Sequence, residues 1–186
     1  MSAAIKSDFD HPKTCNLSKR QIHEIAEQLA IDGGFKPADS VSAFIGSLGG
    51  KIEYVDFLEE NSQAESLHVD SKGDFTVFLP VHTTLERDNF TLAHELGHYI
   101  LHYLWSLSPK DSPPRPFVAY RYGADYAENK TEWEANWFAA AFLMPDKLFR
   151  AEFIKSRGIL AVLAPRFKVT QKAAQIRAKS LSLKVS

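Results

Sequence analysis

The sequence predicts an α+β domain, and three observations carry that prediction. Helical spacing dominates both ends of the 186-residue chain, period-two alternation is confined to the stretch between residues 51 and 80, and no internal repeat or low-complexity tract interrupts them. At 45% apolar composition such a chain can bury one real core, with room for a small appendage.

The elements follow in order. The opening "MSAAIKSDFDHPK" is polar, and residues 1–15 are expected to be flexible. "LSKRQIHEIAEQLAI" places Ile22, Ile25, Ala26 and Leu29 on one helical face. A second helix is expected from Ala38 to Leu48, with Val41, Phe44, Ile45 and Leu48 inward and Gly49-Gly50 ending it. "KIEYVDF" then alternates like a strand, and "SLHVDSKGDFTVFLP" reads as a hairpin turning on Ser71–Asp74, with Pro80 closing its second strand. Helical spacing resumes near Glu86 and runs to about Leu104. Residues 105–128, which hold four prolines, read as one long connection. "KTEWEANWFAAAFLM" is helical again and stops at Pro145; further helices are expected near Asp146–Ser156 and across the last thirty residues.

Composition excludes several classes. No apolar run approaches the roughly 18 residues of a membrane span, and no leader pattern opens the chain. A single cysteine, Cys15, rules out an internal disulfide and has no nearby partner for nucleophilic or metal work, so the cytoplasm is the default compartment. The net charge of −1 hides an asymmetry: residues 146–186 carry ten Lys/Arg against two Asp/Glu, leaving the first 145 residues strongly acidic. That basic stretch either docks on the acidic part of the same chain or offers a landing place for an acidic partner. "VTQKAAQIRAK" lacks a complete recognition pair and its basic residues are scattered round the helix, so direct nucleic-acid binding is not expected.

The chemistry concentrates in "TLAHELGHYILHYL". His94 and His98 lie four apart on one helical face, where two neutral imidazoles can converge on one ion. Glu95 sits about 100° round the helix from His94, placed to accept a proton from a water on the open side of that ion. Gly97 leaves room there for a substrate backbone. A catalytic zinc takes three protein ligands. Leu101 and Leu104 occupy the positions where one zincin class continues its motif with glycine and histidine, which excludes that class. His102 lies a further turn along, too far on a straight helix to share the ion, and is expected beside the ligands or lining the cleft. The third ligand is expected from "TEWEANWFAAAFLMP": Glu132, with Glu134 as the competing candidate, because Asn136 one turn beyond Glu132 can hold a ligand histidine by its other ring nitrogen. Ala135, Ala139, Ala140 and Ala141 would let that helix approach the motif helix closely.

"FTLAHELGHYILH" followed by "EWEANWFAAAFLMP" resembles the ImmA/IrrE-type metallo-endopeptidases, and "LAPRFKVTQKAAQIR" is similar to that family's closing helix pair, with Thr170 where a serine is usual. The resemblance implies a zincin-like (gluzincin-type) fold: a small sheet, a HExxH helix, a third-ligand helix and a short C-terminal helical region. On that reading residues 16–145 form the metallopeptidase domain, and 146–186 a basic helical region packed on or appended to it. It implies a bacterial, cytoplasmic, zinc-dependent endopeptidase in which manganese or another divalent ion could replace zinc. His94, His98 and Glu132 would be its ligands and Glu95 its general base. Its partner would be a helix-turn-helix repressor of the Xre type, in stress response, mobile-element control or a toxin–antitoxin pair. The alternative is a metal-containing module that binds a repressor without cutting it. An oxyanion stabiliser is expected among His102, Tyr120, Tyr122 and Tyr126. An extended substrate would add to a sheet edge formed by residues 75–79.

Overall fold

A computed structural model describes residues 9–56, 65–107, 115–121 and 130–185. Helix α1 (Lys19–Asp32) starts at a capping box in which the Ser18 hydroxyl accepts from the Gln21 backbone N–H while the Gln21 side chain takes the Ser18 N–H. It buries Ile22, Ala26 and Ala30. Helix α2 (Val41–Ser47) is shorter than its spacing predicts. Ala38 has a left-handed backbone (φ 67°), so the helix starts only after the Ser40 cap, and Leu48, expected inward, is 40% exposed. Gly49 takes φ 84° just past the helix, a conformation that suits a residue without Cβ.

Strands β1 (Lys51–Val55), β2 (Glu65–Val69), β3 (Phe75–Pro80) and β4 (Phe117–Tyr120) form one sheet in the order β1-β3-β2-β4. The β2–β3 hairpin is antiparallel, with Leu67 opposite Val77, and its turn is tied by the Asp70 carboxylate, which accepts the backbone N–H groups of Lys72 and Asp74. β1 runs parallel to β3, so β3 lies inside the sheet and the edge expected at residues 75–79 does not exist. The edges are β1 and β4. β4 falls within the stretch read as one long connection: "FVAY" directly after Pro116 is a short apolar run that pairs with β2. Of the amino-terminal segment expected to be flexible, residues 1–8 lie outside the described residues, and residues 9–15 are tied down. Asp10 bridges the outer edge of β4 at Phe117, and the Cys15 N–H donates to Glu134.

Helix α3 (Leu85–Gly97) is capped by Thr84 and buries every residue from Leu92 to Gly97. The expected single α-helix to Leu104 does not continue: from His98 to Tyr103 the chain winds as a π-helix, then as a 3-10 turn to Ser106. Helix α4 (Lys130–Leu143) crosses α3 at close range. A Cβ at Gly97 would come within 3.2 Å of Ala135 Cα, Ala135 O and Phe138 Cβ. Gly97 therefore serves contact between the two helices and not, as its position in the motif suggested, an opening for substrate.

Helices α5 (Asp146–Lys155), α6 (Leu160–Leu163) and α7 (Gln171–Ser180) complete the chain, with a 3-10 turn between α6 and α7. The buried Arg177 joins them to the rest: its guanidinium donates to Met144 O and Glu27, and its Nη1 lies 3.3 Å from His23 Nδ1. This arginine of the basic tail is thus committed to an acid of α1. No helix among the described residues is long and apolar enough to cross a membrane.

Candidate metal centre

The last turn of α3 and the first residue of the π segment bring His94 and His98 together, and the first turn of α4 brings Glu132 to both. His94 Nε2 lies 3.1 Å from His98 Nε2 and 3.2 Å from Glu132 Oε2, and His98 Nε2 lies 3.1 Å from Glu132 Oε1. Donor atoms around a tetrahedral zinc with bonds of about 2.0–2.1 Å stand roughly 3.3 Å apart. The two ring nitrogens of this triangle stand near that spacing, the short contacts to Glu132 end on its two different oxygens, and one ligand atom from each of the three residues lies within 4.8 Å of the others.

The surrounding hydrogen bonds decide where the ring protons sit. Asn136 Oδ1, 3.1 Å from His94 Nδ1, can only accept, so that nitrogen carries the proton and His94 Nε2 is bare. Glu134 Oε2, 3.1 Å from His102 Nε2, likewise accepts. His102 is held neutral, its pKa lowered to about 4 by burial and the neighbouring His98, so its Nδ1 is an acceptor. His98 Nδ1, 2.9 Å away, must donate to it, which leaves His98 Nε2 bare as well. Two lone pairs and a carboxylate then face one another in a buried space. That arrangement repels itself unless a cation stands between.

The titration behaviour has the same cause. Burial pulls His94 down, but the Glu132 hydrogen bond and the charges of Glu95 and Glu132 outweigh it and hold His94 above its ordinary value. His98 is held below its ordinary value by burial. Burial alone would raise Glu132, yet the close imidazoles of His94 and His98 keep it well below the usual carboxylate range.

A cavity of about 120 Å³ opens on the cluster, lined by Ser66, Glu95, Tyr120 and Arg121 besides the three candidate ligands and Asn136. Glu95 is buried, which pushes its carboxyl above the ordinary range, and it accepts a 3.0 Å hydrogen bond from the Ser66 hydroxyl. Ser66 sits at an irregularity of β2: Glu65 pairs with Tyr120 and Leu67 with Ala119, so Ser66 is the extra residue of a bulge that turns its side chain to the site. Arg121 donates to Phe78 O.

The candidates from sequence divide clearly. His94, His98, Glu132, Glu95 and Asn136 come together. Glu134 does not join the triangle; it is fully buried behind it, taking the His102 and Cys15 hydrogens with Lys130 Nζ at 3.7 Å. His102 lies beside His98 with both ring nitrogens engaged, and it does not line the cavity, so the structure removes it as an oxyanion stabiliser. Tyr120 lines the cavity; Tyr122 and Tyr126 lie outside the described residues. Sequence reasoning missed Ser66 and Arg121. Arg121 stands between two of the tyrosines already singled out, a signal that could have found it; a serine in a strand carries none.

Residues 47–179 match the model of the Peptidase_M78 family, described as an IrrE N-terminal-like domain. No curated protein matches the chain. Among solved structures it is similar to a Mycobacterium tuberculosis transcriptional regulator, at a TM-score of 0.58 and 16% identity over 86% of this chain and 46% of that one. At that identity the likeness is one of fold, and the chain spans about half the length of that protein.

Proposed function

From a chain that belongs to the Peptidase_M78 family through its IrrE N-terminal-like domain, we propose a zinc-dependent metallo-endopeptidase that cuts a specific protein partner. The observation that carries the reading is the triangle of His94, His98 and Glu132 donors, spaced for one tetrahedral cation and left with bare ring nitrogens by Asn136 and His102. These three residues are the ligands in this reading. Zinc held there would supply a water of lowered pKa, towards about 7, and a Lewis acid for the scissile carbonyl. Glu95 would take a proton from the attacking water and return it to the leaving amine. Burial raises the proton affinity of Glu95, which suits the first task, and the Ser66 hydroxyl holds its carboxylate in place. Tyr120 and Arg121 are two of the described side chains at the cavity that could donate towards the developing oxyanion. An extended peptide would pair with the end of β4 at Ala119 and Tyr120, since Asp10 and His11 already occupy the edge at Phe117 and Val118.

The resemblance of the HELGH and EAN helices to the ImmA/IrrE peptidases supports a helix-turn-helix repressor of the Xre type as substrate, in a bacterial cytoplasm. The test is to mix the zinc-loaded protein with Xre-type repressors of the same organism and look for fragments by mass spectrometry. Glu95→Gln should lower cleavage by about 10²–10⁴-fold while zinc content stays at one equivalent. Undiminished cleavage by that variant refutes the base. A repressor bound tightly but never cut means a binding module instead.

A further inference from the structure

Beside the catalytic cavity lies a groove of about 780 Å³, bounded by the start of α3, the outer face of α4 and α7. Phe90, Thr91, Arg121 and Asn136 line both spaces, so the two are continuous. The catalytic cavity admits little more than one side chain and cannot by itself choose among proteins. The groove is large enough to do so.

Its floor is apolar and partly open. Trp133 and Trp137 stand four apart on one face of α4, opposite Ala173 and Ile176 on α7, with Trp133 46% and Ile176 54% exposed. Its rim is positive. Five of its lining residues are Lys or Arg and one, Glu86, is acidic, although the whole chain has a net charge of −1. Arg177 and Arg121 are engaged by Glu27 and Phe78 O, while Lys19, Arg87 and Lys172 are exposed at the margins, Lys19 with its ammonium 5.7 Å over the Trp137 ring. An exposed indole and a branched aliphatic seek apolar side chains, and the three cations favour carboxylates around them. A nucleic-acid strand would use the cations and leave Ile176 and Ala173 without a partner.

We infer that this groove docks the substrate protein through a segment that carries bulky apolar side chains flanked by acidic ones, and so selects the bond that reaches Glu95. The inference rests on the peptidase reading above, and its test reads binding without cleavage. Zinc-loaded Glu95→Gln protein is titrated with two short labelled peptides that share Leu and Phe positions, one flanked by glutamates and one by lysines, and with an oligothymidylate of similar length. Fluorescence anisotropy should give about ten-fold tighter binding for the glutamate peptide, weakening as salt is added. Adding Arg87→Glu and Lys172→Glu should reverse the preference, and adding Ile176→Glu should weaken the glutamate peptide at least as much. Arg87→Gln with Lys172→Gln should remove the preference, and it serves if the reversal variant misfolds by circular dichroism. Equal affinity for the two peptides, a preference unchanged by these substitutions, or tighter binding of the oligothymidylate overturns the inference. Absence of hydrolysis by the wild-type protein would sink the peptidase reading alone, because the peptide preference is measured in an inactive variant.

Discussion

At the scale of single residues, proton positions do as much as the metal-facing atoms. Asn136 and His102 keep the protons of His94 and His98 on the far side of each ring, so both Nε2 atoms offer lone pairs inward. Asn136→Ala leaves all three donors in place but frees His94 to choose its tautomer. Zinc affinity, measured by competition with a chromophoric chelator, should fall about 10–100-fold. An unchanged affinity would mean that packing alone orients His94. Much of this was legible: a HELGH pair and a glutamate four residues before an asparagine name the residues that come together in the cluster. The choice of Glu132 over Glu134 also follows the sequence, because only the former shares a helical face with Asn136. Ser66 was invisible, since a bulge shows itself only once the partner strand is known.

At the scale of elements, the contact of α3 with α4 sets the distance between the histidines and Glu132. Gly97 lies tightly against α4 there, and Ala135 opposite is small enough to let the backbones meet. Gly97→Ala must push the helices apart by a few tenths of an ångström. It should cost about 1–3 kcal/mol in denaturant unfolding of the zinc-free protein and weaken zinc binding in parallel. Full stability with full zinc affinity would show that the contact has slack. The π segment could not be read from sequence, because "HYILHY" has the apolar spacing of an ordinary helix. Its His102 contacts both His98 and Glu134. β4 was missed for a different reason: four residues in a proline-rich stretch are too few for alternation to register.

At the scale of the whole molecule, one residue of the basic stretch, Arg177, ties the last helix to the first. Arg177 of α7 reaches Glu27 and His23 of α1 and the Met144 carbonyl just past α4, so the basic end is stapled across the acidic part. The α+β class was readable from the order of periodicities, but the strand order β1-β3-β2-β4 was not, because a parallel pair depends on a crossover that local patterns do not encode. The staple predicts a pH response. Burial, with Arg177 and Lys19 adding to it, lowers His23 from 6.5 to about 4. Between those values the unfolded chain takes up a proton that the folded chain refuses, so His23 contributes its full stability above pH 6.5 and loses it as pH falls towards 4. The thermal midpoint should drop across that window, and less steeply in His23→Gln; identical slopes would remove His23 as the cause. Above all these contacts stands the claim that three side chains from two helices hold one cation beside Glu95. Elemental analysis of native protein purified without chelators tests it most directly, alongside Glu132→Ala prepared in the same way. One equivalent of zinc or another divalent metal in the wild type and a small fraction of that in the variant is the predicted result. A wild type without stoichiometric metal, or a variant that keeps its full equivalent, would contradict it.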